Sequence, residues 1–161
     1  MPSAPVERVW LARPARGNLV LEGNLAGDLE TGGLLVGYVA RDAVITRIIG
    51  PGPKAMHLRD RFVPDYDYQE AAVAEIYHAS RGSETYLGDW HTHPSNGLYL
   101  SPLDVSTLKR IARDPSGRAS RPLMLVASQQ ADGVRWDLGV WQYAPRWFSR
   151  SAVARRPLIV G

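Results

Sequence analysis

Residues 88–104 read GDWHTHPSNGLYLSPLD, and this stretch determines how the rest of the sequence is interpreted. His91 and His93 lie two apart in a segment that favours a β-strand, so both imidazoles project from one face, roughly 6–7 Å apart at their bases. That separation lets two ring nitrogens bind one metal ion at about 2.0–2.1 Å, and Asp104 can add a carboxylate oxygen. Three protein ligands with a fourth position left for water are typical of catalytic zinc sites, whereas structural zinc sites are closed by four ligands.

The same residues also have a purely structural interpretation. Ser101 is a favourable helix N-cap and Pro102 a favourable first helical residue. Asp104 would then lie in the first helical turn, where the helix dipole favours negative charge. The two histidines can equally be ordinary strand residues that precede a turn. The two roles of Asp104 are compatible, because the first turn of a helix is a rigid place from which to hold a ligand.

Taken together, these residues resemble the metal motif of the JAMM (JAB/MPN) metallopeptidase family. The matching pattern is His-Thr-His-Pro from position 91, an intervening segment that ends at position 100, and then Ser-x-x-Asp. Family members also carry a glutamate well upstream, followed by a glycine-rich apolar strand, and residues 30–37, ETGGLLVG, fit that description. The resemblance covers roughly residues 6–143 and is strongest to the bacterial, Prok-JAB type.

The resemblance implies a role for each matched polar residue. His91, His93 and Asp104 would bind one Zn²⁺ per chain together with a water molecule, and Glu30 would act as the general base. Ser101 would donate a hydrogen bond to the developing oxyanion. From the residues alone, Glu30 is also interpretable as a solvated acid before a Gly-Gly turn. Ser101 has its alternative role as a helix cap, and one hydroxyl does not easily serve both functions.

Several further residues near the motif have weaker signals. Leu98 and Tyr99 lie in the loop between ligands and are candidates for substrate binding. Asp89 shares the strand face of the two histidines and could orient an imidazole, although an exposed strand acid is the favoured interpretation. His57 and His78 have no partner at ligand spacing, which favours structural or surface roles for both.

Composition limits the alternatives. The chain has 161 residues, 45% of them hydrophobic and 22% charged, which is ordinary for one soluble globular domain. Because there is no cysteine, disulfides, thiolate catalysis and Cys-ligated zinc are excluded. No apolar run is long enough to span a membrane, and residues 1–14 lack the apolar centre of a signal peptide, so we expect a cytoplasmic protein.

The net charge of +3 does not indicate a nucleic-acid partner. Positive charges are scattered among acids along most of the chain, which is unlike the clustered footprint of a nucleic-acid surface. They gather only near the end of the sequence, at Arg146, Arg150, Arg155 and Arg156. This pattern favours a solvated basic tail, and we expect neither a nucleic acid nor a membrane as partner.

Apolar periodicity predicts an α/β fold with a mixed β-sheet flanked by helices. The family resemblance agrees, since it implies a three-layer, cytidine-deaminase-like JAB/MPN domain. We predict a metallopeptidase domain at residues 1–145 and a basic C-terminal tail at 146–161. The apolar end of that tail either docks as an edge strand or is disordered. Strands are predicted at 6–11, 33–40, 43–49, 57–63, 123–127 and 134–143, and helices at 67–79 and 102–113. Residues 16–27 are ambiguous by periodicity, and the family resemblance implies a helix there.

Three hypotheses about function follow from the resemblance. The first is a deubiquitinase-like zinc isopeptidase that hydrolyses the bond after the C-terminal glycine of a ubiquitin-like modifier. Its partners would include E1/E2-like enzymes of a bacterial conjugation or anti-phage operon. The second is a peptidase that trims the tail of a sulfur-carrier protein in cysteine biosynthesis. The third is a non-catalytic MPN-type scaffold, although such scaffolds usually lose metal ligands and this sequence retains them.

Overall fold

A computed structural model describes residues 4–95, 97–116, 118–148 and 150–161. In these ranges the chain forms an eight-stranded sheet, a separate two-stranded hairpin and three helices. The strands are β1 (Val9–Leu11), β2 (Gly32–Val39), β3 (Ala43–Ile49), β4 (Met56–His57), β5 (Phe62–Val63), β6 (Thr85–His93), β7 (Leu123–Gln129), β8 (Trp136–Tyr143), β9 (Val153–Arg156) and β10 (Leu158–Val160). The helices are α1 (Arg13–Ala26), α2 (Tyr66–Ala79) and α3 (Pro102–Ala112).

The large sheet is mixed, with strand order β10-β1-β3-β2-β6-β7-β8-β9. β2 pairs antiparallel with both β3 and β6, whereas β6 pairs parallel with β7. The β2–β3 pair is the hairpin that the two apolar runs around positions 41–42 predict. These observations confirm the predicted α/β class with a mixed sheet.

Two apolar clusters lie on opposite faces of the sheet. On one face, Leu19 of α1 packs with Trp90 and Leu125. On the other face, Leu108 of α3 packs with Val126. Leu125 and Val126 are neighbours on β7, and successive strand residues point to opposite faces, so the sheet is the middle layer of three.

The tail residues complete the sheet. β9 pairs with β8, and β10 pairs with β1 at the other end of the strand order, with Pro157 alone between the two strands. The carbonyl oxygen of Pro157 accepts a hydrogen bond from Val9 N at 2.9 Å. The two edges of the sheet are therefore brought together. Of the two alternatives for the tail, docking as an edge strand is the one observed for residues 158–160, and the domain boundary at position 145 stays a prediction.

One predicted strand is wrong in detail. Residues 57–63 do not form a continuous strand but the two short strands β4 and β5, which pair as a hairpin. The turn between them is closed by a hydrogen bond from Leu58 N to Arg61 O at 2.9 Å. Within the described ranges, no helix has the length and apolar character needed to cross a membrane.

Gly33 allows β2 to pass closely between its neighbours, which gives a test of the fold. A Cβ atom there would lie 1.8 Å from the carbonyl oxygen of Ile49 and 2.8 Å from Nε1 of Trp90. Backbone cannot yield to such a contact, so we expect Gly33→Ala to lower the free energy of unfolding by about 3 kcal/mol. Gly17→Ala is the matched control, because nothing lies within 4 Å of its Cβ position and α1 should gain about 1 kcal/mol. Urea unfolding measures both changes, and equal stability of the two variants would contradict this account.

Candidate metal centre

The last residues of β6 present two imidazoles to one face of the sheet. Trp90 and Thr92 are fully buried on the face that packs towards α1, so the alternation of the strand turns His91 and His93 to the other face. Both histidines are themselves buried, with 7% and 4% of their surface exposed. Their Nε2 atoms lie 3.0 Å apart. The predicted convergence of the two rings is therefore observed.

Helix α3 supplies the carboxylate from its first turn. Ser101 is the N-cap, and its hydroxyl oxygen accepts a hydrogen bond from Asp104 N at 3.1 Å. In return, Ser101 N donates to Oδ2 of Asp104 at 2.8 Å, which completes a capping box. The other carboxylate oxygen, Oδ1, lies 3.4 Å from His91 Nε2. Asp104 thus caps the helix with one oxygen and turns the other towards His91.

The donor atoms of these residues fit a bound cation. One donor atom each from His91, His93 and Asp104 lie within 4.8 Å of one another. His93 Nδ1 is 3.0 Å from the carbonyl oxygen of Gly97, which can only accept, so Nδ1 carries the proton and Nε2 has a free lone pair. A cation placed between these two imidazole nitrogens and the carboxylate oxygen could be bound by all three. The absence of cysteine restricts the set to nitrogen and oxygen ligands, which suit zinc and several other divalent metals.

The electrostatics of the ligands favour the protonation states that bind a metal. Burial lowers the pKa of His93, which keeps its imidazole neutral at neutral pH. Burial acts to raise the pKa of Asp104, but its contact with His91 and its hydrogen bonds with Ser101 outweigh burial and lower that pKa. A neutral imidazole and an ionised carboxylate are the forms that act as ligands.

Strand pairing brings Glu30 to the same place. Gly32 pairs with His91 in the antiparallel β2–β6 ladder, and Thr92 N donates to Thr31 O one position further on. Glu30 lies two positions before Gly32, just outside the paired residues, and it lines the same cleft as both imidazoles. The Glu30 side chain is buried, at 9% exposure. Burial raises its pKa to about 6, against the opposing influence of His91.

A cleft of about 550 Å³ joins these groups. Five of the predicted site residues line it beside Asp104, namely Glu30, His91, His93, Tyr99 and Ser101. The ring of Tyr99 lies 5.1 Å from that of His93, measured between centroids. Leu98 is not brought to the cleft, since it packs against the apolar cluster of α3 and β7.

The interpretation of Asp89 as an exposed strand acid is wrong. Asp89 is only partly exposed and lines the cleft, where its carboxylate accepts a hydrogen bond from the Tyr86 hydroxyl at 2.7 Å. Burial raises the pKa of Asp89, although the bond from Tyr86 acts in the opposite direction. The physical reason is the cleft itself, whose walls include Tyr86 on the same strand and Arg110 of α3.

Other lining residues were not identified from the sequence. Thr107 and Ile111 lie three and seven positions after Asp104 and line the same cleft. Helical spacing places residues at these two positions on the same helix face as Asp104, so the sequence pattern could have predicted both. Residues 60–62 also line the cleft, at the turn of the β4–β5 hairpin, and no periodic signal predicts their position.

A cluster that could hold one divalent cation, beside a buried carboxylate in an open cleft, is an arrangement typical of metal-dependent hydrolases. Comparison with known proteins agrees. A family model described as prokaryotic homologs of the JAB domain matches residues 13–139. This match covers most of the chain, which therefore belongs to that family.

Relatives and a solved structure support the same assignment. The chain is 36% identical over 122 residues to the probable metalloprotease y4qB of Sinorhizobium fredii, covering 73% of this chain and 74% of that protein. It is 32% identical over 102 residues to a CD-NTase/cGAS isopeptidase of Pseudomonas aeruginosa, covering 62% of each protein. The solution structure of protein DSY2949 from Desulfitobacterium hafniense has a TM-score of 0.66 at 19% identity, with 95% of this chain and 92% of that chain covered, and this likeness concerns the fold alone. The named relatives support a peptidase of the JAB type.

The metal centre can be tested by elemental analysis. We expect about one divalent ion per chain, and we expect His91→Ala and His93→Ala each to reduce occupancy to below about a tenth. His78→Ala is the matched control, since His78 is exposed on α2 and should leave occupancy unchanged.

Asp104→Asn separates the two roles of that residue. Its amide oxygen can still accept from Ser101 N, so the metal-free variant should melt close to the wild-type temperature while metal occupancy falls. Full occupancy in a His91→Ala/His93→Ala double variant would contradict the ligand assignment.

Proposed function

We propose that this protein is a zinc-dependent isopeptidase that hydrolyses the bond after the C-terminal glycine of a ubiquitin-like modifier. The observation that carries the proposal is the convergence of His91, His93 and Asp104 in the cleft that Glu30 also lines. Relatives named as a metalloprotease and as an isopeptidase support hydrolysis of a peptide or isopeptide bond.

His91, His93 and Asp104 would hold the ion, and Zn²⁺ is our choice because two imidazoles and one carboxylate form a catalytic zinc set. When bound, zinc supplies Lewis-acid polarisation of the scissile carbonyl and acidifies water. The buried position of both histidines restricts how many solvent molecules reach that point. The capping box holds Asp104 in place whether or not an ion is present, so the site is largely preorganised.

Glu30 is the proposed general base. Its carboxylate would take the proton of the attacking water and pass it to the amine that leaves when the C–N bond breaks. A pKa raised to about 6 by burial suits both steps, because the group is ionised at neutral pH yet binds a proton more readily than an ordinary carboxylate.

Ser101 is proposed to stabilise the oxyanion. Its hydroxyl accepts the hydrogen bond from Asp104 N with a lone pair, which leaves the O–H free to donate into the cleft. The expected conflict between capping and catalysis therefore does not arise, because the two functions use different parts of one hydroxyl. A donor held by a helix terminus needs no rearrangement during the reaction.

The shape of the cleft supports an extended, apolar tail with glycine at the cleavage point. Tyr66, Tyr99 and Leu103 line the cleft with 68%, 47% and 68% of their surface exposed, and they could bind apolar side chains of a substrate. The histidines are almost fully buried, so a backbone without a side chain approaches them most closely. We propose E1/E2-like conjugation enzymes as functional partners. A cytoplasmic location stays a prediction.

Glu30→Gln tests the general base. The substitution keeps the size of the side chain but removes its ability to take a proton, so turnover should fall by about 10²–10⁴-fold. Metal content and melting temperature should stay at wild-type values, because the backbone of Glu30 makes the contacts that hold it. Elemental analysis, a thermal melt and single-turnover kinetics give the three readouts. Near-normal turnover would assign proton transfer to another group.

The substrate can be tested by mass spectrometry on two model compounds. In the first, a ubiquitin-like protein is joined through its C-terminal glycine to a lysine ε-amine. In the second, the same protein carries one additional residue after that glycine. We expect the zinc-loaded enzyme to release the modifier from lysine, with Glu30→Gln as the inactive control.

Cleavage of the second compound alone would favour trimming of a sulfur-carrier tail instead. If unfolded chains are cut and neither compound is, the substrate class is wrong while the peptidase assignment stands. A zinc-loaded protein that cuts nothing would favour the scaffold hypothesis.

A further inference from the structure

The β4–β5 hairpin, residues 56–63, contacts the segment that precedes β2. It forms a two-stranded sheet separate from the main sheet, with Met56 paired to Val63 and His57 to Phe62. Phe62 seats the hairpin against the main sheet, since a Cβ placed on Gly32 would lie 2.5 Å from its ring. The hairpin turn lines the cleft, so it belongs structurally to the wall of the site.

Both main-chain polar groups of Glu30 are bonded to this hairpin. Glu30 N donates to the carbonyl oxygen of Leu58 at 2.7 Å. The carbonyl oxygen of Glu30 lies 3.0 Å from Nδ1 of His57, and since a carbonyl can only accept, Nδ1–H is the donor. The second of these bonds is made by a side chain and can be changed without changing the fold of the backbone.

The peptide group that carries the Glu30 oxygen is held from two sides, because its N–H, which belongs to Thr31, donates to Thr92 Oγ1 at 3.0 Å while His57 binds its oxygen. β2 begins at Gly32, and the nearest contact on the β6 side is that of Thr31 with Thr92. The rotamers open to a side chain depend on the dihedral angles of its own backbone. A rotation of the Glu30 peptide group would therefore move its carboxylate relative to the metal ligands. His57 opposes that rotation from outside the ladder.

We propose that His57 is a positioning residue that holds the backbone of Glu30 and thereby directs its carboxylate to the metal centre. This inference rests on the proposed function, in which Glu30 is the general base. His57 acts through Glu30 and is not placed in contact with substrate or metal. A misplacement of a reacting group by about 1 Å can cost on the order of 10²-fold in rate, so a single hydrogen bond of this kind has a measurable effect.

Two substitutions separate the hydrogen bond from the bulk of the imidazole. The amide nitrogen of His57→Asn can occupy the position of Nδ1, so this variant can still donate to Glu30 O. In His57→Gln the amide lies further out, at the position of Nε2, and this donor is lost. His57→Ala removes the side chain, and His78→Ala is the control for loss of an exposed histidine elsewhere.

The first measurement uses metal-free protein and does not depend on activity. Amide hydrogen exchange, followed by NMR, should be about tenfold faster at Glu30 in His57→Ala and His57→Gln than in the wild type. It should be close to wild type in His57→Asn and His78→Ala. The Thr92 amide, which is bonded to Thr31 O within the β2–β6 pair, should keep its protection in every variant. Unchanged exchange at Glu30 in His57→Ala would overturn the proposal.

The second measurement is turnover of a quenched peptide in which Gly-Gly is joined to a lysine ε-amine. We expect kcat to fall about tenfold in His57→Ala and His57→Gln, with recovery in His57→Asn, and with KM and metal content unchanged. In a Glu30→Gln background, His57→Ala should cause no further loss, because its effect passes through Glu30. An equal loss in both backgrounds, or rescue by Gln as well as by Asn, would overturn the proposal. If Glu30→Gln alone keeps full turnover, the general base is wrongly assigned. This failure of the proposed function is distinguishable from a failure of the His57 proposal, because hydrogen exchange reports the His57–Glu30 contact independently of activity.

Discussion

Antiparallel pairing between β2 and β6 is the constraint on which the metal centre depends. It places Gly32 opposite His91, and Glu30, two residues before Gly32, thereby reaches the cleft that both imidazoles line. Side chains alternate along a strand, so a shift of one residue in this ladder would turn Glu30 to the opposite face. The ladder also contains a register irregularity between Leu35 and Val36, which lies away from the metal end. The register of β2 against β6 at the site is therefore set by the residue pairs nearest the histidines.

The second constraint is the reciprocal bonding at the start of α3. The backbone N–H groups of Ser101 and Asp104 have no partner within the helix. Each of them donates instead to the side chain of the other residue. The two hydrogen bonds that stabilise the start of the helix therefore also orient the carboxylate of Asp104. This arrangement explains why one carboxylate can cap a helix and face His91 without strain in either role. It also makes the metal site partly independent of the long-range packing of the sheet.

The sequence predicts the parts of the site that depend on local geometry. The common face of His91 and His93 follows from strand alternation, and the position of Asp104 follows from helix capping; the structure has both. Strand alternation also correctly assigns Trp90 and Thr92 to the core. For Glu30, the residues alone did not decide between a solvated acid and a site residue. The family resemblance decided, because no local pattern reveals which two distant strands pair.

Tertiary contacts explain what the sequence pattern does not describe. Asp89 has the alternation of an exposed acid, but it lies in a cleft that is also lined by side chains of α3. A structural role for His57 was expected, but its bond to Glu30 was not predictable, because it joins a hairpin to a segment 27 positions away. The prediction of one strand at 57–63 failed for a local reason, since a tight turn between Leu58 and Arg61 divides these residues into β4 and β5.

Closure of the sheet through Pro157 has a consequence for the order of folding. Residues 9–11 find one of their two partner strands at 43–45 and the other only at 158–160, nearly the whole chain away. Contacts of such sequence separation form slowly, since the entropy of a long loop must be overcome first. The proposed metal ligands, by contrast, all come from a short segment that spans one strand and the first turn of one helix. On sequence separation alone, these three residues should therefore come together more readily than the two sheet edges.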